Sequence, residues 1–188
     1  RVAVPADRAA GRKPAPVPAG AGFDLCRRPT GGGLVDHRED WTYALVIPRG
    51  HPLEEIPAGQ SYRAVHEALA AALRRQGVAA QAKQSCEPPA DGANCGPAGV
   101  CFQRAELYDV IHAGSGAKIA GAAQKRNKHG LLFQGSVWRP AAGPAVDWDL
   151  FSGNFTAELA AVLAVPAEAV PWPELAEHEV EGLTEQYA

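Results

Sequence analysis

The stretch Arg27-Arg28-Pro29-Thr30-Gly31-Gly32-Gly33-Leu34-Val35-Asp36-His37 sets the reading of this 188-residue chain. Two fixed cations precede three consecutive glycines, and a histidine closes the stretch. Glycine admits positive φ and lets backbone N–H groups approach a ligand closely, so the loop suits a negatively charged group or a polarised carbonyl. A flexible surface turn is the plain alternative for a glycine run. Next comes Trp41-Thr42-Tyr43-Ala44-Leu45-Val46-Ile47, whose large residues Trp41, Tyr43, Leu45 and Ile47 recur at period two and predict a strand. Pro48 and Pro52 close it. A glycine loop that leads into a strand has no helix dipole behind it, which weakens a phosphate site.

Composition bounds the rest. With 46% hydrophobic and 21% charged residues, the chain reads as a soluble globular protein, and residues 1–188 are expected to form one domain. A net charge of −3 argues against a nucleic-acid partner held by phosphate contacts. No segment approaches the roughly 18 uninterrupted apolar residues of a membrane span, so no membrane partner is expected. No secretory leader is visible, and a cytoplasmic location is the expectation. The chain has no methionine, so either its start has been removed or residues are missing from it, and spacings are read accordingly. Four cysteines, Cys26, Cys86, Cys95 and Cys101, are too few for a disulfide framework. They contain no C-x-x-C pair and have irregular gaps, so no metal site is expected.

Moving outward, residues 1–22 carry alternating Pro14, Pro16 and Pro18 and predict an extended loop. Ser61 is read as the N-cap of a helix over 62–75, with Tyr62, Val65, Leu69 and Leu73 in one stripe and Gly77 as its stop. His66 is read as a packing or surface residue. Residues 81–99 hold Pro88, Pro89, Gly92, Gly96 and Pro97 and predict a long loop. A meander follows: strands over 107–112, 118–124 and 131–137, joined by Gly114-Ser115-Gly116 and a basic turn over 125–130. The tail predicts helices over 156–163 and 173–187. Helices and strands in separate blocks give an α+β class with a mainly antiparallel sheet.

Two residues could carry chemistry. Cys101 follows the Pro/Gly loop, and a thiol becomes nucleophilic when positive charge favours its thiolate. Lys118 opens a strand whose next residues, Ala120, Gly121, Ala122 and Ala123, are small and leave room for a groove. A buried apolar cysteine and a solvated strand-end lysine are the plain alternatives. No Walker phosphate loop, dinucleotide fingerprint, H-E-x-x-H pair or G-x-S-x-G elbow occurs.

Taken together, these segments resemble a known family. The stretch from Arg27 to His37 resembles the R-R-x-[ST]-G-G-G-x-V-x-H signature of the lipoate/octanoate protein ligases and transferases. Lys118 to Arg126 resembles that family's K-[IV]-x-G-[SA]-A-Q-x-R motif. Gly130 to Val137 resembles a third, which usually carries histidine near Phe133 or Gln134. The likeness runs from about Asp24 to Val137 and implies a biotin/lipoate ligase-like fold of mixed, mainly antiparallel sheets flanked by helices. It further implies an acyl site in which Arg27, Arg28, Thr30, Gly31, Gly32, Gly33, His37, Gly121 and Ala122 bind the acyl group. Lys118 would contact its carbonyl. Biotin ligases carry a G-R-G-R-x-G-R loop, which is absent here.

Two chemistries divide that family. Octanoyltransferases of the cysteine type resemble this chain in having Cys-Phe, here Cys101-Phe102, ahead of the lysine motif, and need no cofactor. In that reading Cys101 takes octanoate from acyl carrier protein as a thioester. Lys118 and loop N–H groups then hold the oxyanion, each donor worth ~3–4 kcal/mol. The acceptor is a lysine of a lipoyl domain or glycine-cleavage H-type protein. The alternative is a ligase that uses free lipoate or octanoate with ATP and Mg2+, its basic turn Lys125–His129 serving the phosphates. A non-enzymatic acyl-binding protein is the third reading.

Overall fold

The computed structural model describes residues 2–5, 25–30, 35–85 and 105–187. A five-stranded antiparallel sheet is built from β4 (Asp40–Pro48), β5 (Ala80–Ala82), β6 (Val110–His112), β7 (Lys118–Asn127) and β8 (Gly130–Trp138), in the order β4-β8-β7-β6-β5. A smaller mixed sheet joins β1 (Val2–Pro5) to β2 (Leu25–Arg28) in parallel and to β3 (Val35–Asp36) antiparallel. Helices α1 (Pro52–Glu55), α2 (Ala58–Arg74), α3 (Arg139–Ala142), α4 (Trp148–Leu163) and α5 (Glu177–Tyr187) complete the described elements. The expected α+β class with a mainly antiparallel sheet is what the chain forms.

Period two explains the central sheet. Trp41, Tyr43, Leu45 and Ile47 of β4 lie opposite Val137, Gly135, Phe133 and Leu131 of β8, so one face carries the apolar set. Val65, Leu69 and Leu73, at helical spacing on α2, are fully buried against it. Each contributes ~1.5–3 kcal/mol by the area it removes from water. Helix α4 adds Phe151 and Phe155, which meet Trp41 and Tyr43 edge to face at 4.9 and 5.2 Å. Gln76 and Asp147 exchange two hydrogen bonds, at 2.8 and 2.9 Å, that fix α4 against the end of α2.

Gly135 is required in this packing, because a Cβ there would run into the ring of Tyr43 on the neighbouring strand. Gly130 is required in the β7–β8 turn, where its φ is +136° and a Cβ would run into the Ile47 carbonyl.

Several boundaries differ from the sequence reading, each for a local reason. Residues 2–5, expected as loop, are β1 because two neighbouring strands supply their backbone partners. Helix α2 starts at Ala58 behind Pro57, whose fixed φ leads into the first turn, and Ser61 is inside the helix with Oγ donating to the Ala58 carbonyl. Ala80–Ala82 pair with β6, so the expected 81–99 loop opens on a short strand. β6 starts only at Val110 because Tyr108 has φ of +67°, which no strand accommodates. Lys125 and Arg126 continue β7, leaving the turn to Asn127–Gly130. Helix α4 begins eight residues earlier than read, since the Asp147 carboxylate caps it by accepting from the Asp149 and Leu150 N–H groups. Helix α5 starts at Glu177 rather than at residue 173.

One junction lies beside Lys118. β6 begins beside Ala120, with Val110, so among the described residues β7 from Gly121 onward has no strand on its outer side. The start of α2 lies there instead. The Ala122 N–H donates to the Tyr62 hydroxyl at 3.0 Å, Gln124 Nε2 to the Ala58 carbonyl at 2.7 Å, and Arg126 to the Ile56 carbonyl at 2.9 Å. The Tyr62 hydroxyl thereby takes up the Ala122 N–H of this edge, and the Gln124 and Arg126 side chains tie the edge to the segment that opens α2.

Candidate active site

Lys118 opens β7 with its side chain 8% exposed, and its ammonium lies 2.7 Å from Asp109 Oδ2, whose side chain is 2% exposed. A buried cation of this kind needs a paired and hydrogen-bonded anion. The Asp109 carboxylate is itself held by two further groups. The Glu106 N–H donates to Oδ2 at 2.7 Å, and the Tyr62 hydroxyl donates to Oδ1 at 2.6 Å. Tyr62 in turn accepts the Ala122 N–H, closing a chain from the α2 surface through Asp109 back to β7. Burial and the negative charge of Asp109 hold the Tyr62 phenol well above its ordinary range, so this hydroxyl keeps its proton and remains the donor.

Gly121 gives the lysine its room. An added Cβ would stand 2.9 Å from Lys118 Cε and Nζ and 3.0 Å from Asp109 Oδ1. Both Gly121 and Ala122 therefore belong to the lysine's surroundings: one leaves space and the other supplies an N–H group to the network.

His66 lies one helical turn beyond Tyr62, rings 4.1 Å apart, and is fully buried. Its Nδ1 is 2.8 Å from the Tyr108 carbonyl, which fixes the proton on that nitrogen because a carbonyl only accepts. Burial pulls its pKa down to about 4, so the ring stays neutral at physiological pH. Tyr62 and His66 thus hold consecutive residues, Asp109 through its carboxylate and Tyr108 through its carbonyl. That second bond helps retain Tyr108 in a left-handed conformation, which costs about 1–3 kcal/mol for a residue with a side chain. Tyr43, buried on β4, has its phenol pushed upward by burial first and then by the charge of Asp109.

The arginine–glycine stretch meets the same sheet. Thr30 is buried and its hydroxyl donates to Gln134 Oε1 at 2.9 Å, joining the first motif to the third. Gln134 stands opposite Ala123 of β7 and Ala44 of β4. Arg28 is also buried, at the end of β2. His37 Nδ1 lies 3.0 Å from Asp40 Oδ2, at the end of the sheet where β4 starts and β8 finishes. That bond gives His37 a structural tie to its own strand, and no described contact joins it to Lys118. The Arg27 side chain, Gly31, Gly32, Gly33 and Cys101 lie outside what the structure describes. The same is true of Cys86 and Cys95. Among the described residues no group of His, Cys, Asp or Glu side chains could hold a metal ion. No described helix is long and apolar enough to cross a membrane.

Sequence reading missed Asp109, Tyr62 and His66 as site neighbours. Asp109 did leave a signal, a lone acid inside the apolar run Leu107-Tyr108-Asp109-Val110-Ile111, where a charge stays only if something pairs it. Tyr62 and His66 left none, because their positions on an apolar helix face look like ordinary packing.

The geometry can be set beside known proteins. Solved structures that resemble it include the T. acidophilum protein Ta0514 with bound lipoic acid, at TM-score 0.58 and 19% identity. A lipoate-protein ligase A bound with ATP resembles it at TM-score 0.59 and 19% identity. Each comparison covers 88% of this chain and 67% of the other, and at that identity it speaks to the fold. Octanoyltransferase LipM of Kyrpidia tusciae is 31% identical over 116 residues, 62% of this chain and 42% of that protein. The Bacillus subtilis octanoyltransferase LipM is 31% identical over 119 residues, 59% of this chain and 40% of that protein. The chain therefore spans about four-tenths of the length of the curated relatives it matches. The lipoyl protein ligase A/B catalytic domain matches residues 16–139, which include all three motifs, and the chain belongs to that family.

Proposed function

We propose that this protein is an acyltransferase of protein lipoylation, moving an octanoyl or lipoyl group onto a lysine of a lipoyl domain through a thioester at Cys101. The observation that carries the reading is the buried, carboxylate-held ammonium of Lys118, on a strand that lies within the matched catalytic domain and whose sequence resembles the family's lysine motif. Likeness to octanoyltransferases at about 30% identity supports the octanoyl donor. The donor class is an acyl thioester on acyl carrier protein, and the acceptor a lipoyl domain or H-type protein.

The chemistry has two acyl transfers. The Cys101 thiolate attacks the thioester carbonyl carbon, the carbonyl π electrons move to oxygen, and the donor's thiolate leaves and takes a proton. The neutral acceptor amine then attacks the Cys101 acyl carbon; the Cys101 thiolate leaves and the amine nitrogen loses a proton, giving an amide. Lys118 serves both steps as a fixed cation near the oxyanion. Such preorganisation is effective because a buried charge already held in place does not reorganise during the reaction. Arg28 and Thr30 hold the loop side of the acyl slot.

The ligase alternative needs cations at the nucleotide phosphates. Asn127, at the far end of β7, stands nine residues from Lys118, or ~30 Å along an extended strand. The open cleft beside that turn, about 660 Å³, is lined by Glu54 and Glu55 together with Arg49, Arg126 and Lys128. Its mixed charge and distance do not fit a phosphate site for an adenylate formed at Lys118. ATP and Mg2+ therefore have no assigned place on the basic turn, and the cofactor-free transferase is the reading favoured.

The test is transfer to an isolated lipoyl domain from octanoyl-acyl carrier protein without nucleotide, compared with octanoate plus ATP and Mg2+. Octanoylation in the first mixture is expected. Transfer only in the second contradicts the thioester reading, and transfer in neither leaves an acyl-binding protein.

A further inference from the structure

Resting on the transfer reading above, we propose that Asp109, anchored by the Tyr62 hydroxyl, is the residue that positions the Lys118 ammonium for acyl transfer. Tyr62 and Asp109 lie outside the three stretches, 27–37, 118–126 and 130–137, that carry the family resemblance.

Asp109 touches Lys118 directly and carries no other described cation. Both carboxylate oxygens are occupied: Oδ1 by Tyr62 at 2.6 Å, Oδ2 by the Glu106 N–H at 2.7 Å and Lys118 at 2.7 Å. A carboxylate with two oxygens engaged from different directions cannot rotate about its χ2 axis without losing a bond. Its lysine-facing oxygen is therefore fixed relative to α2 and to the 106–109 turn.

The remaining contacts restrict the backbone behind it. His66 holds the Tyr108 carbonyl, and the Arg63 guanidinium lies over the Tyr108 ring at 5.7 Å. The Tyr108 N–H donates to the Lys83 carbonyl, and the Asp109 carbonyl accepts from the Lys83 N–H, both at 2.9 Å. One face of α2 and the end of β5 together define where Asp109 sits. An ion pair serving stability alone gains little from this, since apolar replacements of buried pairs are often neutral or better. Preorganisation of a reacting cation does require it.

Tyr62→Phe removes one hydroxyl and keeps the ring; Asp109→Asn removes the charge and keeps the shape. Val65→Ala, on the same helix but outside the network, controls for loss of packing. Two readouts are taken on each folded variant. One is the single-turnover rate of octanoyl transfer together with KM for the octanoyl-thioester donor. The other is the rate at which acetic anhydride acetylates Lys118, read by peptide mass. Tyr62→Phe is expected to lower the transfer rate about 10-fold with KM unchanged, and Asp109→Asn about 100-fold, the scale of an ångström-sized misplacement. Both should speed Lys118 acetylation several-fold, while Val65→Ala moves neither readout. Because Asp109→Asn can fail to fold, Tyr62→Phe alone decides the outcome in that case. Wild-type transfer and labelling rates in folded Tyr62→Phe overturn the proposal. So does faster labelling with an unchanged transfer rate. If the wild-type protein transfers nothing, the transferase reading falls by itself, and the labelling contrast still shows whether Tyr62 and Asp109 hold Lys118.

Discussion

Gly121→Ala is the sharpest single perturbation of the site. The added methyl would stand 2.9 Å from Lys118 Cε and Nζ, against the ~3.5–4.0 Å of a relaxed non-bonded contact. The ammonium must therefore move by about 0.6–1.1 Å. Its 2.7 Å bond to Asp109 cannot survive that displacement intact. Gly121 has no positive φ, so alanine is not strained by backbone conformation. Overpacking costs about 1–3 kcal/mol and the stiffer unfolded chain returns about 0.4–1 kcal/mol, for a net loss near 1 kcal/mol. In a chain of this size that lowers Tm by ~2–4 °C. An ångström-scale misplacement of a reacting group lowers rate by roughly 100-fold, or about 2.7 kcal/mol in the barrier. Activity should thus fall far more than stability. The assay measures kcat/KM for octanoyl transfer alongside thermal unfolding. Gly153→Ala serves as control, since a Cβ there has open space. A Gly121→Ala protein with wild-type kcat/KM refutes the role given to Lys118. A loss of activity that disappears once the unfolded fraction is subtracted refutes it too.

Other consequences follow from the packing. His66 has a folded pKa near 4, below the ordinary 6.5, so the folded state binds fewer protons between those values. Its contribution to stability is present above pH 6.5 and is lost as pH falls through about 4, a difference of ~3 kcal/mol at most. Urea unfolding at pH 7.5 and 4.5 should show a smaller pH dependence in His66→Gln than in the wild-type protein; equal dependence contradicts it. Gly130→Ala combines a +136° φ with a Cβ against the Ile47 carbonyl, and should destabilise by about 3 kcal/mol or more in denaturant titration. A midpoint close to wild type would show that the β7–β8 turn is formed differently.

Much of this protein is legible in its sequence, for identifiable reasons. β4 and β8 are long strands with one buried face, so period two marks them within a residue or so. The α2 stripe Val65, Leu69, Leu73 is equally plain. Short elements are not: β1 and β5 have three or four residues each and exist because neighbours supply hydrogen-bond partners, which no local pattern reports. Tyr108 stops β6 short of its apparent pattern because His66, forty-two residues earlier, holds its carbonyl. Lys118 could be singled out as a candidate because a local run of small residues and a recognisable motif follow it. Asp109 and Tyr62 escaped notice because what defines them is a meeting between α2 and the β6–β7 edge.

The most direct measurement is the intact mass of the protein after brief exposure to octanoyl-acyl carrier protein, without nucleotide and before any lipoyl domain is added. One octanoyl group, lost on treatment with neutral hydroxylamine, mapped to the Cys101 peptide and absent from Cys101→Ala, is the result expected for a thioester intermediate. Unmodified wild-type protein that nonetheless octanoylates a lipoyl domain, or a Cys101→Ala variant that transfers at the wild-type rate, would contradict it.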